Sequence, residues 1–310
     1  MDLDDVDERL VRALQEDGRA SYEALAKLVG LARSTTKARV RRLIDDCGLR
    51  LIAAIHPAAL GLNQLGHVIV EVDGPAGPVA ERLAELAETS FVTTTAGRFA
   101  VTAELRTKDL ATFSEGLAKV QAVPGVRSVQ AMTFLQIWKD PYFPPGPLES
   151  PGPLGDIDLD SSDHALLEHL RIDGRASFAD LASVSGLSPG ATRARVLRLL
   201  EAGVVHVGAL VRLNQLSRIH TIGFALTLSG ETAPVAREVA GFEEVDCFAT
   251  GIGWCNGIGT IRATTYDSVF ATLERLRDLP GVRSVESWSH LRAIKEEHDL
   301  ARPLTCAPSE

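Results

Sequence analysis

The chain has 310 residues, 45% hydrophobic and 24% charged, with a formal net charge of -9. This composition excludes disordered, collagen-like and disulfide-stapled classes and leaves room for about two to four domains. The first eight residues are acidic where a secretory leader is basic and then apolar, and no run of ~18 apolar residues occurs, so a cytoplasmic location without a membrane partner is expected.

The sequence is written twice. Residues 3–43 laid over 159–199 without a gap give 20 identities in 41 positions, an offset of 156. The matches include the block Asp17-Gly18-Arg19-Ala20-Ser21 against Asp173-Gly174-Arg175-Ala176-Ser177. The same offset aligns Pro124-Gly125-Val126-Arg127-Ser128-Val129 with Pro280-Gly281-Val282-Arg283-Ser284-Val285, so the repeat covers the whole half. Between the copies, residues 141–153 hold six of the 15 prolines, a composition that favours an extended spacer.

In chain order, Val6, Leu10 and Leu14, then Leu25, Leu28 and Val29, then Val40, Leu43 and Ile44 recur at helical spacing, which predicts three short helices punctuated by Gly18 and Gly30. Ser21 and Ser177 sit where N-caps are needed, and Ser177 with Asp180 forms a capping-box pattern. In the second copy Ser188 can cap the third helix and Pro189 can occupy its first position. The first copy has Ala32-Arg33 instead, so its third helix should start less sharply, at a local cost of ~1 kcal/mol. Strand patterns follow at 65–72, 91–95, 101–105 and 126–134, interrupted by helical stretches near 75–88 and 108–121. The second half repeats these strands near 219–228, 244–250, 257–264 and 282–290.

The expected fold class is therefore α+β, with two copies of a winged or three-helix helix-turn-helix domain, each followed by a ferredoxin-like βαββαβ domain. The expected spans are 1–52, 63–140, a linker at 141–155, 156–208, 214–295 and a tail at 296–310. Each four-stranded sheet has one face covered by its helices. The other must pair, either between the halves or between chains.

A basic helix after a Gly turn is the arrangement that enters a major groove. Candidate DNA-binding residues in the first copy are Arg33, Ser34, Thr35, Thr36, Lys37, Arg39, Arg41 and Arg42. In the second copy they are Ser188, Thr192, Arg193, Arg195 and Arg198. Arg39, Arg42, Arg195 and Arg198 lie late in the helix, where structural or phosphate-facing roles are also open. The first copy is the more basic, which predicts an asymmetric contact with double-stranded DNA. The acidic total does not oppose this, because the field over one face governs binding.

These motifs resemble the leucine-responsive and asparagine-activator (Lrp/AsnC) transcription regulators. The resemblance rests on Asp4-x-x-Asp7, Asp17-Gly18-Arg19 and Arg39-Val40-x-x-Leu43, with Asp160-x-x-Asp163, Asp173-Gly174-Arg175, Leu187-Ser188, Thr192 and Arg195-Val196 in the second copy. It implies a ferredoxin-like module that carries dimerisation or higher self-association and binds a small-molecule effector, often an amino acid, between modules. The family's Gly-Asp-aromatic-Asp hairpin reads Gly97-Arg98-Phe99-Ala100 and Gly253-Trp254-Cys255-Asn256 here, so both acids are missing in each copy. Effector-binding candidates are Thr94, Gly97, Arg98 and Phe99, with Thr250, Gly253, Trp254 and Asn256 in the other half.

The glycines around 251–259 are not a dinucleotide fingerprint, because the pattern continues as strand and no helix opens after it. The eight histidines and the four cysteines, Cys47, Cys247, Cys255 and Cys306, show no metal spacing, and no nucleophile elbow occurs. No catalytic residue, metal or cofactor is expected. The sirohaem decarboxylases resemble the same two-domain architecture and also occur as fused pairs, but the arginine-rich segment of those enzymes is not evident at Leu49-Arg50-Leu51-Ile52. That alternative requires basic and histidine side chains in the sheet pocket, for which Arg50, His56, His67 and His206 are the candidates.

Overall fold

The computed structural model describes residues 4–140, 158–211 and 219–296. The expected linker at 141–155, the tail beyond 296 and the opening of the last domain before 219 lie outside these residues. The first half runs α1 (Asp5–Glu16), α2 (Tyr22–Val29), α3 (Arg33–Asp45), β1 (Leu49–Ile55), a 3-10 turn (Pro57–Leu60), β2 (Gln64–Val72), α4 (Ala76–Glu85), β3 (Thr89–Ala96), β4 (Val101–Thr107), α5 (Leu110–Gln121) and β5 (Val126–Lys139). The second runs α6 (Ser161–Ile172), α7 (Phe178–Ser185), α8 (Pro189–Glu201), β6 (Val205–Val211), β7 (His220–Leu228), α9 (Thr232–Ala240), β8 (Val245–Gly253), β9 (Gly257–Ala263), α10 (Tyr266–Asp278) and β10 (Val282–Glu296).

Caps set the helix starts. Ser21 accepts from Ala24 N, and Ser177 with Asp180 closes a capping box. Ser188 caps α8 through Ala191 N, whereas α3 has no side-chain cap. The expected loss of definition in α3 does not occur: both helices span 13 residues and start at matched positions. The Ala32 carbonyl accepts from both the backbone N–H and the hydroxyl of Thr36, while buried Val40 and Leu43 anchor the helix to the core.

Of the two forms expected for the helical domains, the three-helix one is present, with no wing of its own among the described residues. β1 pairs antiparallel with β6 of the other copy, and Ile52 faces Gly208, its own counterpart 156 positions on, so an internal two-fold passes through that pair. The two strands also exchange partners in the cores. Ala53 and Ile55 of β1 pack with Leu166 and Leu170 of the second domain, and Ala209 of β6 packs with Leu10 and Leu14 of the first. The repeated Asp-Gly-Arg motif closes this junction. Gly18 N donates to Val207 O at 2.7 Å and Gly174 N to Leu51 O at 3.2 Å. Arg19 donates to the carbonyls of Gly174 and Ala176 and lies over the Phe178 ring, and Arg175 donates to Ala20 O and lies over Tyr22. Added Cβ atoms at Gly18 and Gly174 would meet Val207 O and Val207 Cγ1, each at 2.8 Å.

Beyond the ribbon, each half forms the expected ferredoxin-like sheet, β3-β4-β2-β5 and β8-β9-β7-β10. The two join into one closed eight-stranded barrel through β5 against β8 and β10 against β3. Pairing between the sheets thus takes place within one chain. Strands β5 and β10, 14 and 15 residues long, reach both their own sheet and the other half's. Outer faces bury Val68, Val70 and Leu105 under α4 and α5, and Phe224, Leu226 and Ile261 under α9 and α10. Inner faces meet around Met132, Ala249, Ile258 and Trp288. Among the described residues, no helix is long and apolar enough to cross a membrane.

Gly18→Ala and Gly174→Ala, which force a methyl group against the ribbon, should each lower urea-unfolding stability by about 1–3 kcal/mol. Gly77→Ala in α4, where a Cβ meets nothing within 4 Å, should be neutral or stabilising. Equal effects at all three sites would show that the close approach of the ribbon to Gly18 and Gly174 does not constrain the fold.

Burial inside the barrel, with His290 nearby, holds the His67 imidazole down at about 3, and burial holds His290 at about 4. Burial also lowers His56. The unfolded chain therefore binds protons below the ordinary histidine value of 6.5 that the folded chain refuses. Stability should fall as pH drops from about 6.5 towards 4, at roughly 1.4 kcal/mol per pH unit for each of the two barrel histidines. Asp4 and Asp160, whose carboxyls are depressed, add their loss only below the ordinary aspartate range. Urea midpoints from pH 7 to 4.5 test this, and His67→Gln should flatten the profile.

Candidate functional site

The third helix of each helical domain carries the candidate DNA contacts. On α3, Arg33, Ser34, Thr35, Lys37 and Arg41 are exposed, and on α8 Ser188 and Arg193 are exposed. The exposed set is more cationic on α3, and Lys37 Nζ also lies 6.0 Å from the Tyr22 ring centroid. Ser188 is engaged as the N-cap of α8.

Six of the predicted contacts have other roles. Thr36 and Thr192 are fully buried under their helices, out of reach of any duplex. Arg39 donates to Asp4 at 2.6 Å and Asp7 at 2.9 Å, and Arg42 pairs with Asp7. The second copy repeats this with Arg195 to Asp160 at 2.6 Å and Asp163 at 3.1 Å, and Arg198 to Asp163 at 2.6 Å. Asp7 and Asp163 are buried, so their charges require these partners. The Arg39 hydrogen bond holds Asp4 below the usual carboxylate range. At Asp160 the Asp163 backbone N–H does so first and Arg195 second. The Asp-x-x-Asp motif is thus the carboxylate half of a clamp between the first and third helices, and the four late arginines are its cationic half.

The eight effector candidates do not form one site. Asn256 Oδ1 accepts from Leu228 N, and Thr250 Oγ1 accepts from Trp138 Nε1 at 2.8 Å. Phe99 is buried edge-on to Trp254 and Trp288, and Arg98 pairs with Glu286 on the exterior. Thr94 Oγ1 lies 3.4 Å from Arg292 O. Gly97 and Gly253 stand at the two junctions between sheets, where a Cβ would press on Trp288 or overlap Ala131 O. Most of these residues hold the barrel closed.

An opening lies elsewhere, inside the barrel. A cavity of about 590 Å³, its mouth included, is bounded by His67, Glu104, Arg106, Lys139, Trp288 and His290, with Phe91 and Phe134 among its walls. Lys139 Nζ donates to Phe242 O at 2.8 Å and is lowered by burial. Arg106 lies 3.7 Å from Glu104. Of these, only His67 stood out in the sequence. His290 and Arg106 carry no motif, and the signal that could have found the site is the mismatch of His67 with Gly223 in the repeat. Among the described residues, no group of three or more His, Cys, Asp or Glu side chains could hold a metal ion.

The AsnC-type helix-turn-helix domain family matches residues 3–44 and again 159–200. The family described as PF0864 C-terminal dimeric alpha+beta barrel domain matches 62–144. The HTH-type transcriptional regulator FL11 of Pyrococcus abyssi is 31% identical over 140 residues, spanning 44% of this chain and 93% of that protein. The proline dehydrogenase transcriptional activator of Rhizobium radiobacter is 28% identical, spanning 45% of this chain and 93% of that one. Each relative therefore corresponds in length to one half. The crystal structure of the siroheme decarboxylase NirDL superposes with a TM-score of 0.63 at 14% identity, covering 94% of this chain and 93% of that one, a likeness of fold. With its helix-turn-helix domain matched twice and a relative above 30% identity covered almost end to end, this chain belongs to the Lrp/AsnC family of helix-turn-helix transcriptional regulators.

Proposed function

We propose that the chain is a single-polypeptide DNA-binding regulator that presents two recognition helices, α3 and α8, to one duplex under small-molecule control. The observation that supports this most is the β1–β6 ribbon, which ties the two helix-turn-helix domains about an internal two-fold. Two-fold-related recognition helices are what a pseudo-palindromic site requires. The tether makes the second docking event intramolecular, so it proceeds at a high effective concentration.

On this reading Arg33, Lys37 and Arg41 supply most of the phosphate contacts, Ser34 and Thr35 face the bases, and Arg193 supplies the smaller contribution of α8. The preferred site is therefore asymmetric. Control by a small molecule requires that it bind one arrangement of the helical domains better than another. An amino acid is the effector class that the family suggests, and assembly of several chains would proceed through surfaces other than the inner sheet faces, which are already paired.

A second reading has two observations in its favour: the decarboxylase-like fold extends over both halves, and the barrel cavity holds His67, Arg106 and His290. Incubation of the purified chain with sirohaem separates the two, since carbon dioxide release would favour the enzyme.

For the regulator, footprinting on genomic fragments should yield one protected site per chain. In titrations across salt, Arg33→Ala with Lys37→Ala should lower the slope of log K against log salt by about two, and Arg193→Ala by about one. Thr36→Ala should leave the slope unchanged. An unaltered slope in the double variant would sink the assignment of α3.

A further inference from the structure

The barrel cavity lies on the internal two-fold. Residues 156 positions apart meet in it: Phe91 with Cys247, Glu104 with Thr260, and Phe134 with His290. A barrel made of two identical chains would present the same residue on both sides of such an axis, and one ligand there would meet identical walls. None of these three pairs is matched. A further mismatch flanks them. In the β2–β5 register His67 faces Met132, and at the equivalent place in the other half Gly223 faces Trp288. A Cβ on Gly223 would overlap the indole, so the large ring is accommodated only because one half lost a side chain there.

Four polar atoms of lining residues have no hydrogen-bond partner: His67 Nδ1, His290 Nδ1, Arg106 Nε and Trp288 Nε1. Buried polar groups are nearly always paired, so this concentration in one cavity points to a partner that arrives from outside. Arg106 Nε–H and Trp288 Nε1–H can only donate, and an acceptor with several lone pairs suits them. Burial keeps both imidazoles neutral, so they offer hydrogen bonds and no charge. Lys139 is occupied by the Phe242 carbonyl, and Arg106 lies 3.7 Å from Glu104 through one terminal nitrogen, which leaves its Nε–H as the cationic donor for an anionic group. The aromatic walls favour a flat ring.

We propose that this cavity binds one small aromatic carboxylate per chain, with its ring against Phe91, Phe134 and Trp288 and its carboxylate against Arg106. The unlike walls fix a single orientation. The site gives a location and a chemical class to the small-molecule control proposed above and rests on that reading only for its effect on DNA, not for binding.

Calorimetry on the full chain with 2-naphthoate, benzoate and the uncharged 2-naphthamide tests this. The acids should bind at one per chain, with 2-naphthoate at least about tenfold tighter than the amide. Arg106→Gln should weaken 2-naphthoate by about tenfold or more. Cys247→Phe, which sets the same residue on both sides of the axis and narrows the cavity, should abolish binding while the unfolding midpoint is retained. If Arg106→Gln does not fold, Cys247→Phe and the amide comparison decide. Absence of saturable heat for both acids up to about 10 mM overturns the proposal, as does a stoichiometry of two or equal binding of acid and amide. Binding that leaves affinity for the footprinted DNA unchanged keeps the cavity assignment and removes the effector role.

Discussion

Neither half of this chain can satisfy its own strands. A four-stranded ferredoxin-like sheet exposes two edges and one apolar face, and a three-helix domain followed by a lone strand leaves that strand unpaired. Both problems are solved by the sister copy. β5 and β10 run past their own sheets to pair with β8 and β3, and β1 pairs with β6. Closure removes every edge of the barrel, and exchange of β1 and β6 sews the helical cores together. The glycines at these seams, Gly18, Gly174 and Gly253, are required because backbone from the other half approaches them too closely for a side chain.

Fusion changes what such an assembly can become. Two separate, identical subunits would place equal residues on either side of the two-fold. Joined in one polypeptide, the halves are free to differ. The structural devices recur in both copies: the Asp4/Asp7 clamp with Arg39 and Arg42 has its counterpart in Asp160/Asp163 with Arg195 and Arg198. The exposed faces have diverged, with a cationic start to α3 and the sequence Pro189-Gly190-Ala191 in the same place on α8. The barrel interior has diverged as well, through Trp288 against Gly223 and His67 against Met132.

The sequence alone determined the duplication, the three-helix pattern, the order of strands and helices in each sheet domain, and the family. These are encoded locally, in apolar spacing, caps and motifs that a linear comparison detects. It also identified the residues of the Asp-Arg clamp and the Asp-Gly-Arg clasp without their roles, because spacing along a chain does not say which carboxylate or carbonyl an arginine reaches. Only the tertiary structure decided that the sheets close within one chain, that β1 crosses to β6, and that Thr36 and Thr192 are interior. It alone brought His67, Arg106, Trp288 and His290, from three strands, around one space. Each of these depends on contacts between segments far apart in sequence, where backbone pairing and burial set the partner and local pattern carries no record of it.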